Sequence, residues 1–160
     1  MSRKQAINSL LKRADALAEA GFSLGVQISV APAYLFVTFP KVWADKYNKD
    51  NHVMTDPMVI WSFENEGTLR WSDAPDVGDH TVFKEAAAHG LRFGCVCSVK
   101  TGQARSICGY ARGDREFTES EMAELLQITQ DLHDLTAVDP KEQPAEIAEI
   151  KQLMAEYQGR

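Results

Sequence analysis

Between Pro40 and Trp71 the chain reads PKVWADKYNKDNHVMTDPMVIWSFENEGTLRW. One carboxylate, Asp56, lies there among closely spaced aromatic residues: Tyr34, Phe36, Phe39, Trp43, Tyr47, Trp61, Phe63 and Trp71. Small-molecule pockets are mostly apolar, with a few polar groups converging on the ligand. An Asp acceptor and an indole N–H donor inside an aromatic wall suit a ligand with an amide head and an apolar tail. Local structure supports the grouping. Pro40 suits the first turn of a helix, and that helix, running to about Asn48, puts Trp43 and Tyr47, four apart, on one face. Asp56-Pro57 is the pattern of an N-cap followed by proline at the first helical position. Two plainer readings stand beside this one: Trp43 and Tyr47 as ordinary core aromatics, and Asp56 as a cap alone. A carboxylate has two oxygens, so capping and ligand binding are compatible.

Other chemistries find less support. Cys95 and Cys97, two apart on an expected strand, share a face, but with Cys108 they make three thiols and no fourth ligand for a structural zinc site is evident. Buried thiols acting as small hydrophobes fit better, and an odd cysteine count fits a reduced compartment rather than a disulfide framework. His52, His80, His89 and His133 are scattered through expected loops and helix ends. None stands in a recognisable nucleophile motif, so the chain does not read as an enzyme. No metal and no cofactor are expected.

The bulk properties narrow the class. A chain of 160 residues is one domain's worth and long enough to bury a core without disulfides or metal. With 17 basic and 23 acidic residues the net charge is −6. Phosphate affinity comes largely from Lys and Arg, so direct nucleic-acid binding is not expected, nor is binding to an anionic membrane. The N-terminus has apolar residues at helical spacing interrupted by charges, unlike a signal peptide. No apolar run reaches membrane-span length. A cytoplasmic location is the expectation.

The elements that must position these residues follow from periodicity. Residues 2–20 read as an amphipathic helix on Ile7, Leu10, Leu11, Ala14 and Leu17, with Gly21 just past its end. Leu24–Val30 and Tyr34–Phe39 read as strands of a hairpin about Ala31-Pro32-Ala33. Asn48–Thr55 reads as a polar loop. The helix begun at Asp56-Pro57 is expected to end near Gly67, followed by a short strand at Leu69–Trp71 and a loop to Asp79. His80–His89 is a helix closed by Gly90. Gly94–Lys100 and Ala104–Ala111 are strands about Thr101-Gly102-Gln103. Thr118 with Glu121 makes a capping box for a further helix. After a breaker at Asp139–Pro144, a last amphipathic helix carries Ile147, Ile150, Met154 and Tyr157. This order predicts an α+β fold, an antiparallel sheet with helices packed against it.

The chain resembles the autoinducer-binding domain of LuxR-type quorum-sensing regulators. The residues that carry the resemblance are Pro40 with Trp43 and Tyr47, Asp56-Pro57, Trp71, and Gly90-Leu91-Arg92-Phe93-Gly94. It covers roughly residues 5–137 as a pattern of elements. It implies an α-β-α sandwich around a five-stranded antiparallel sheet, PAS/GAF-like, with the ligand between the sheet and one helical layer. The implied ligand is an N-acyl-homoserine lactone or a related acyl amide signal. Trp43 would donate its indole N–H to the lactone carbonyl, and Asp56 would accept the ligand's amide N–H. Tyr47 and Trp71 would wall the head group, and Gly94 would let a strand start close against neighbouring packing. The division is physically reasonable, because a buried carboxylate needs a donor and an amide bond to it is strong where water is excluded.

Three positions depart from the family pattern. Phe39 stands where a Tyr is frequent, Cys108 is assigned to the strand position of a Ser or Thr hydroxyl that faces the acyl carbonyl, and Ser98 stands where a Pro is common. The first two weaken polar recognition of the acyl linkage. The expected division is residues 1–137 as the autoinducer-binding domain and 138–160 as linker and C-terminal amphipathic helix. The latter faintly resembles the first helix of a helix-turn-helix domain, which alone cannot read DNA. The sequence is therefore expected to act by protein contact, as a homodimer or as a heterodimer with a full-length regulator of the same family. The alternative is a ligand-free interaction module of the same fold, with its aromatic cluster packed solid.

Overall fold

The computed structural model describes residues 1–158; the last two residues of the segment 138–160 lie outside the described residues. Helix α1 (Arg3–Leu17) is opened by a capping box in which Ser2 and Gln5 bond each other's backbone. The hairpin β1 (Gly21–Ile28) and β2 (Pro32–Val37) follows, then α2 (Lys41–Lys49), a single 3-10 turn at His52–Met54, and α3 (Pro57–Glu64). Next come β3 (Gly67–Arg70), a 3-10 turn at Trp71–Asp73, α4 (Thr81–Ala88), and the hairpin β4 (Phe93–Thr101) and β5 (Ala104–Arg112). Helices α5 (Glu119–Leu135) and α6 (Pro144–Glu156) close the chain. The five strands form one sheet in the order β2-β1-β5-β4-β3, every pair antiparallel. This is the expected α+β sandwich.

Several boundaries move, each for a local reason. β1 starts at Gly21, whose φ of +113° turns the chain straight out of α1. A Cβ there would lie 2.8 Å from the Thr38 carbonyl oxygen. The third helix stops at Glu64, because Gly67, at φ +111°, opens β3. Trp71 consequently begins a 3-10 turn instead of ending a strand. The segment expected as a loop at 48–55 contains the turn that buries His52.

Strand alternation divides the molecule into two faces. Phe22, Leu24 and Val26 of β1, Tyr34 and Phe36 of β2, Cys95 and Cys97 of β4, and Cys108 and Tyr110 of β5 point to one side. There they pack with α1, α5 and the α6 residues Ile150 and Leu153 in one closed core. The intervening residues point to the other side, toward α2, α3 and α4. The exposed edge of β2 is covered by the end of the chain. The Val37 N–H donates to the Tyr157 carbonyl at 2.7 Å, and the Gln158 side-chain amide donates to the Leu35 carbonyl at 2.9 Å.

In the closed core a buried polar knot fixes the β1–β5 register. Gln27 sits at φ 55° in an irregularity of the β1–β5 ladder. Its N–H donates to Ser106 Oγ, and its side-chain amide donates to the His133 carbonyl at 2.7 Å. Ser106 Oγ lies 2.6 Å from His133 Nδ1. Ser106 and His133 are both buried, on the α1 and α5 side of the sheet. Burial holds the His133 imidazole below its ordinary value, opposed weakly by Asp134. The unfolded chain therefore binds a proton at this ring at a pH where the folded chain does not, so stability falls as pH drops below about 6.5. Denaturant titrations between neutral and mildly acid pH should show a shallower loss of stability in His133→Asn than in the parent. Equal slopes would contradict this assignment.

Candidate functional site

The second face of the sheet bounds a cavity of about 370 Å³. Its floor is Ser23 and Gly25 of β1, Leu35 and Val37 of β2, Val96 of β4, and Ile107 and Gly109 of β5. Its roof comes from α2, α3 and α4, through Trp43, Tyr47, Met58, Val59, Phe63, Val82, Phe83 and Ala86. Val30, Val53 and Phe63 line it and are also exposed, so they form its rim. The lining is apolar over most of its extent, with Ser23, Trp43, Tyr47, Asn48, Asp56 and Trp71 as the side chains that bear polar atoms. The aromatic cluster is thus not packed solid.

Phe39, Trp43, Tyr47, Asp56 and Trp71 all line this cavity. Cys108 does not. It is fully buried in the closed core, because side chains along β5 alternate and its neighbours Ile107 and Gly109 are the ones that face the cavity. The assignment of Cys108 to the ligand is therefore corrected by strand parity. The same parity removes Tyr34 and Phe36 from the aromatic wall.

Asp56 occupies the place where two helices meet. As N-cap of α3 its Oδ1 accepts the Met58 N–H at 2.8 Å, and its Oδ2 accepts the Tyr47 hydroxyl at 2.8 Å. The carboxylate has donors from within the protein, the Val59 N–H among them, and its two oxygens together can still accept a further one. Burial pushes the Asp56 carboxyl above the usual carboxylate range, against the lowering pull of Tyr47 and the Met58 N–H. Burial and the neighbouring carboxylate push the Tyr47 phenol up, so it stays a proton donor. Trp43, one helical turn before Tyr47, packs edge-on to it with ring centroids 5.9 Å apart. The Trp43 indole N–H has no hydrogen-bond partner among the described residues, although the side chain is almost wholly buried. An unused donor and a partly used acceptor therefore stand at one end of an apolar hollow.

Trp71 is seated by a missing side chain. Its indole lies flat against Gly94, where a Cβ would come within 2.1 Å of the ring. It also packs on Phe83 of α4 at 6.0 Å. Ser98 serves the frame: its hydroxyl donates to the Ser62 carbonyl at the end of α3, and Arg105 donates to both.

Sequence reasoning missed two contributors. Ser23 lines the cavity floor from β1, on a strand read as beginning one residue later. His52 supports the roof: its ring lies 5.9 Å from Trp43 and 5.5 Å from Tyr47. Its Nε2 is 2.6 Å from Glu85 Oε2 of α4. A lone histidine in a polar stretch carries no such signal. Asp50, His52 and Glu85 bring potential metal-ligand atoms within 4.8 Å of one another. Lys46 is already 2.7 Å from Asp50 and 3.5 Å from Glu85, so an ammonium supplies the positive charge there. The group reads as an ion-pair network bracing α2 against α4. Among the described residues no helix is long and apolar enough to cross a membrane.

Comparison with known proteins gives the family and the fold. The autoinducer binding domain family matches residues 2–135. The transcriptional activator protein VanR of Vibrio anguillarum is 31% identical over 77 residues, 46% of this chain and 32% of that protein. The chain spans about a third of the length of the curated relatives it matches. In fold it is similar to the N-acylhomoserine-lactone-dependent LuxR-family factor CepR2 from Burkholderia cenocepacia, with a TM-score of 0.59 at 17% identity, over 83% of this chain and 90% of that one. It is likewise similar to Escherichia coli SdiA, with a TM-score of 0.63 at 22% identity, over 88% of this chain and 66% of that one. With its sheet, its cavity and its Trp43–Tyr47–Asp56 cluster in place, this chain belongs to the autoinducer-binding domain family of LuxR-type quorum-sensing regulators.

Proposed function

We propose that this chain senses an N-acyl-homoserine lactone or a closely related acyl amide. The observation that carries the reading is the polar end of the cavity: an unpartnered Trp43 N–H and a doubly held Asp56 carboxylate beside an apolar hollow of about 370 Å³. In this reading Trp43 donates to the lactone carbonyl and Asp56 accepts the amide N–H at its remaining lone pair. Tyr47 holds the carboxylate in place, Phe39 and Trp71 wall the head group, and the acyl chain lies along the sheet. CepR2 is described as N-acylhomoserine-lactone-dependent, which supports the same ligand class here. The residues act by binding and orienting, and no step of catalysis is assigned to them.

Calorimetry with a panel of acyl-homoserine lactones tests the site. Asp56→Ala and Trp43→Phe should each weaken binding by about 1–3 kcal/mol, the usual loss when a buried partner is left unpaired. Wild-type affinity in both variants would remove the assigned roles.

The signal is read out, in this proposal, through contact with a second protein, either another copy of this chain or a full-length regulator of the family. The motive is that relatives such as VanR are transcriptional activators, while this chain's acidic balance does not suit direct DNA contact. Light scattering and co-purification with a full-length relative, with and without lactone, should show a complex. A strictly monomeric protein that neither co-purifies nor alters the relative's operator binding would exclude this output.

A further inference from the structure

The sheet's cavity face carries a glycine that neither backbone nor packing requires. Gly109 is in the interior of β5, paired with Ser23 on one side and Val96 on the other. Glycine weakens a strand interior through lost packing and greater freedom in the unfolded chain. Elsewhere in the molecule the structure gives the reason for such a residue. Gly21 and Gly67 adopt positive φ, and Gly94 makes room for the Trp71 ring. Gly109 has no positive φ, and a Cβ built on it would meet nothing nearer than the Ser23 carbonyl oxygen at 3.8 Å. Gly25, the other floor glycine, differs, since its Cβ would touch Pro32 Cγ at 3.4 Å. The space above Gly109 belongs to the cavity itself.

Its place along the strand says which part of a ligand would use that space. Ala111 lies in the cluster with Trp43, Val82 and Ala86, at the polar end. Gly109 is the next position on the same face, about 7 Å further on, and Ile107 lies beyond it on the floor. A ligand whose head is held at Trp43 and Asp56 must lay its first acyl carbons over Gly109.

We infer that Gly109 is a specificity-determining residue, kept without a side chain so that the head-proximal part of an acyl chain lies against the sheet backbone between Ser23 and Val96. This rests on the acyl-amide reading of the site. It gives a signature that a structural role does not: adding a side chain at 109 helps the empty protein and harms the complex.

The test uses the whole chain, with Gly109→Ala and Gly109→Val beside the parent. Thermal unfolding is measured without ligand, and calorimetry with butanoyl-, octanoyl- and dodecanoyl-homoserine lactone. The unliganded Gly109→Ala protein should melt at or above the parent temperature. Its affinity for whichever lactone the parent binds most tightly should fall roughly tenfold or more, the scale of forcing one extra methyl into a filled site. Gly109→Val should fall further. Parent-like affinity in both variants overturns the inference and leaves the site's reading intact. A lowered melting temperature in unliganded Gly109→Ala also overturns it, because the glycine is then needed by the fold. A parent that binds none of the three lactones overturns both.

Discussion

A carboxylate held away from water at the edge of an apolar hollow is the constraint around which this structure is arranged. Asp56 ends one helix-to-helix passage and begins α3, so its position is fixed by the backbone it caps. Tyr47 reaches it from α2, and His52, braced by Glu85 of α4, packs against both Tyr47 and Trp43. Three helices are thereby joined at one point. The arrangement satisfies the cap and the carboxylate while leaving the Trp43 N–H unused. A buried group with spare hydrogen-bonding capacity at the edge of an apolar cavity is unfavourable for folding alone and favourable for binding.

The two faces of the sheet answer different demands. Toward α1, α5 and α6, large side chains interdigitate, and the polar atoms among them bond one another, as Ser106 does with His133 and Tyr110 with Thr129. Toward α2, α3 and α4, the floor residues are small at the centre of the sheet, and the roof arches over them. Stability comes from the first face, and the second has room for a guest. A ligand that binds only the folded chain then adds to its stability by mass action. Because β2 forms part of the floor and is bonded at its outer edge to Tyr157 and Gln158, the end of the chain is in direct contact with a wall of the cavity.

The helices and the Pro40–Trp43–Tyr47–Asp56-Pro57 cluster were legible in the sequence because their signals are local. Capping residues, a proline at the first turn and a four-residue spacing each act within one element. What was not legible depends on parity and on distant partners. The family resemblance points Cys108 toward the ligand, yet a shift of one residue on a strand moves a side chain to the opposite face. Tyr34 and Phe36 belong to the closed core for the same reason. His52 gave no signal because its meaning comes from Glu85, far along the chain, and from the ring of Trp43. The resemblance implies a close approach at Gly94 in outline, but which ring occupies the place of its missing Cβ depends on Trp71 starting a 3-10 turn.

The most direct test of the central claim is the behaviour of the indole N–H protons. The protein contains three tryptophans, Trp43, Trp61 and Trp71, so isotope-labelled samples give a small, assignable set of Nε1–H signals. Titration with octanoyl-homoserine lactone should move the Trp43 signal downfield and produce nuclear Overhauser contacts from it to the lactone ring, with Trp61 little changed. A Trp43 signal that stays in place while the lactone binds, or contacts that run only to exposed side chains, would contradict the account.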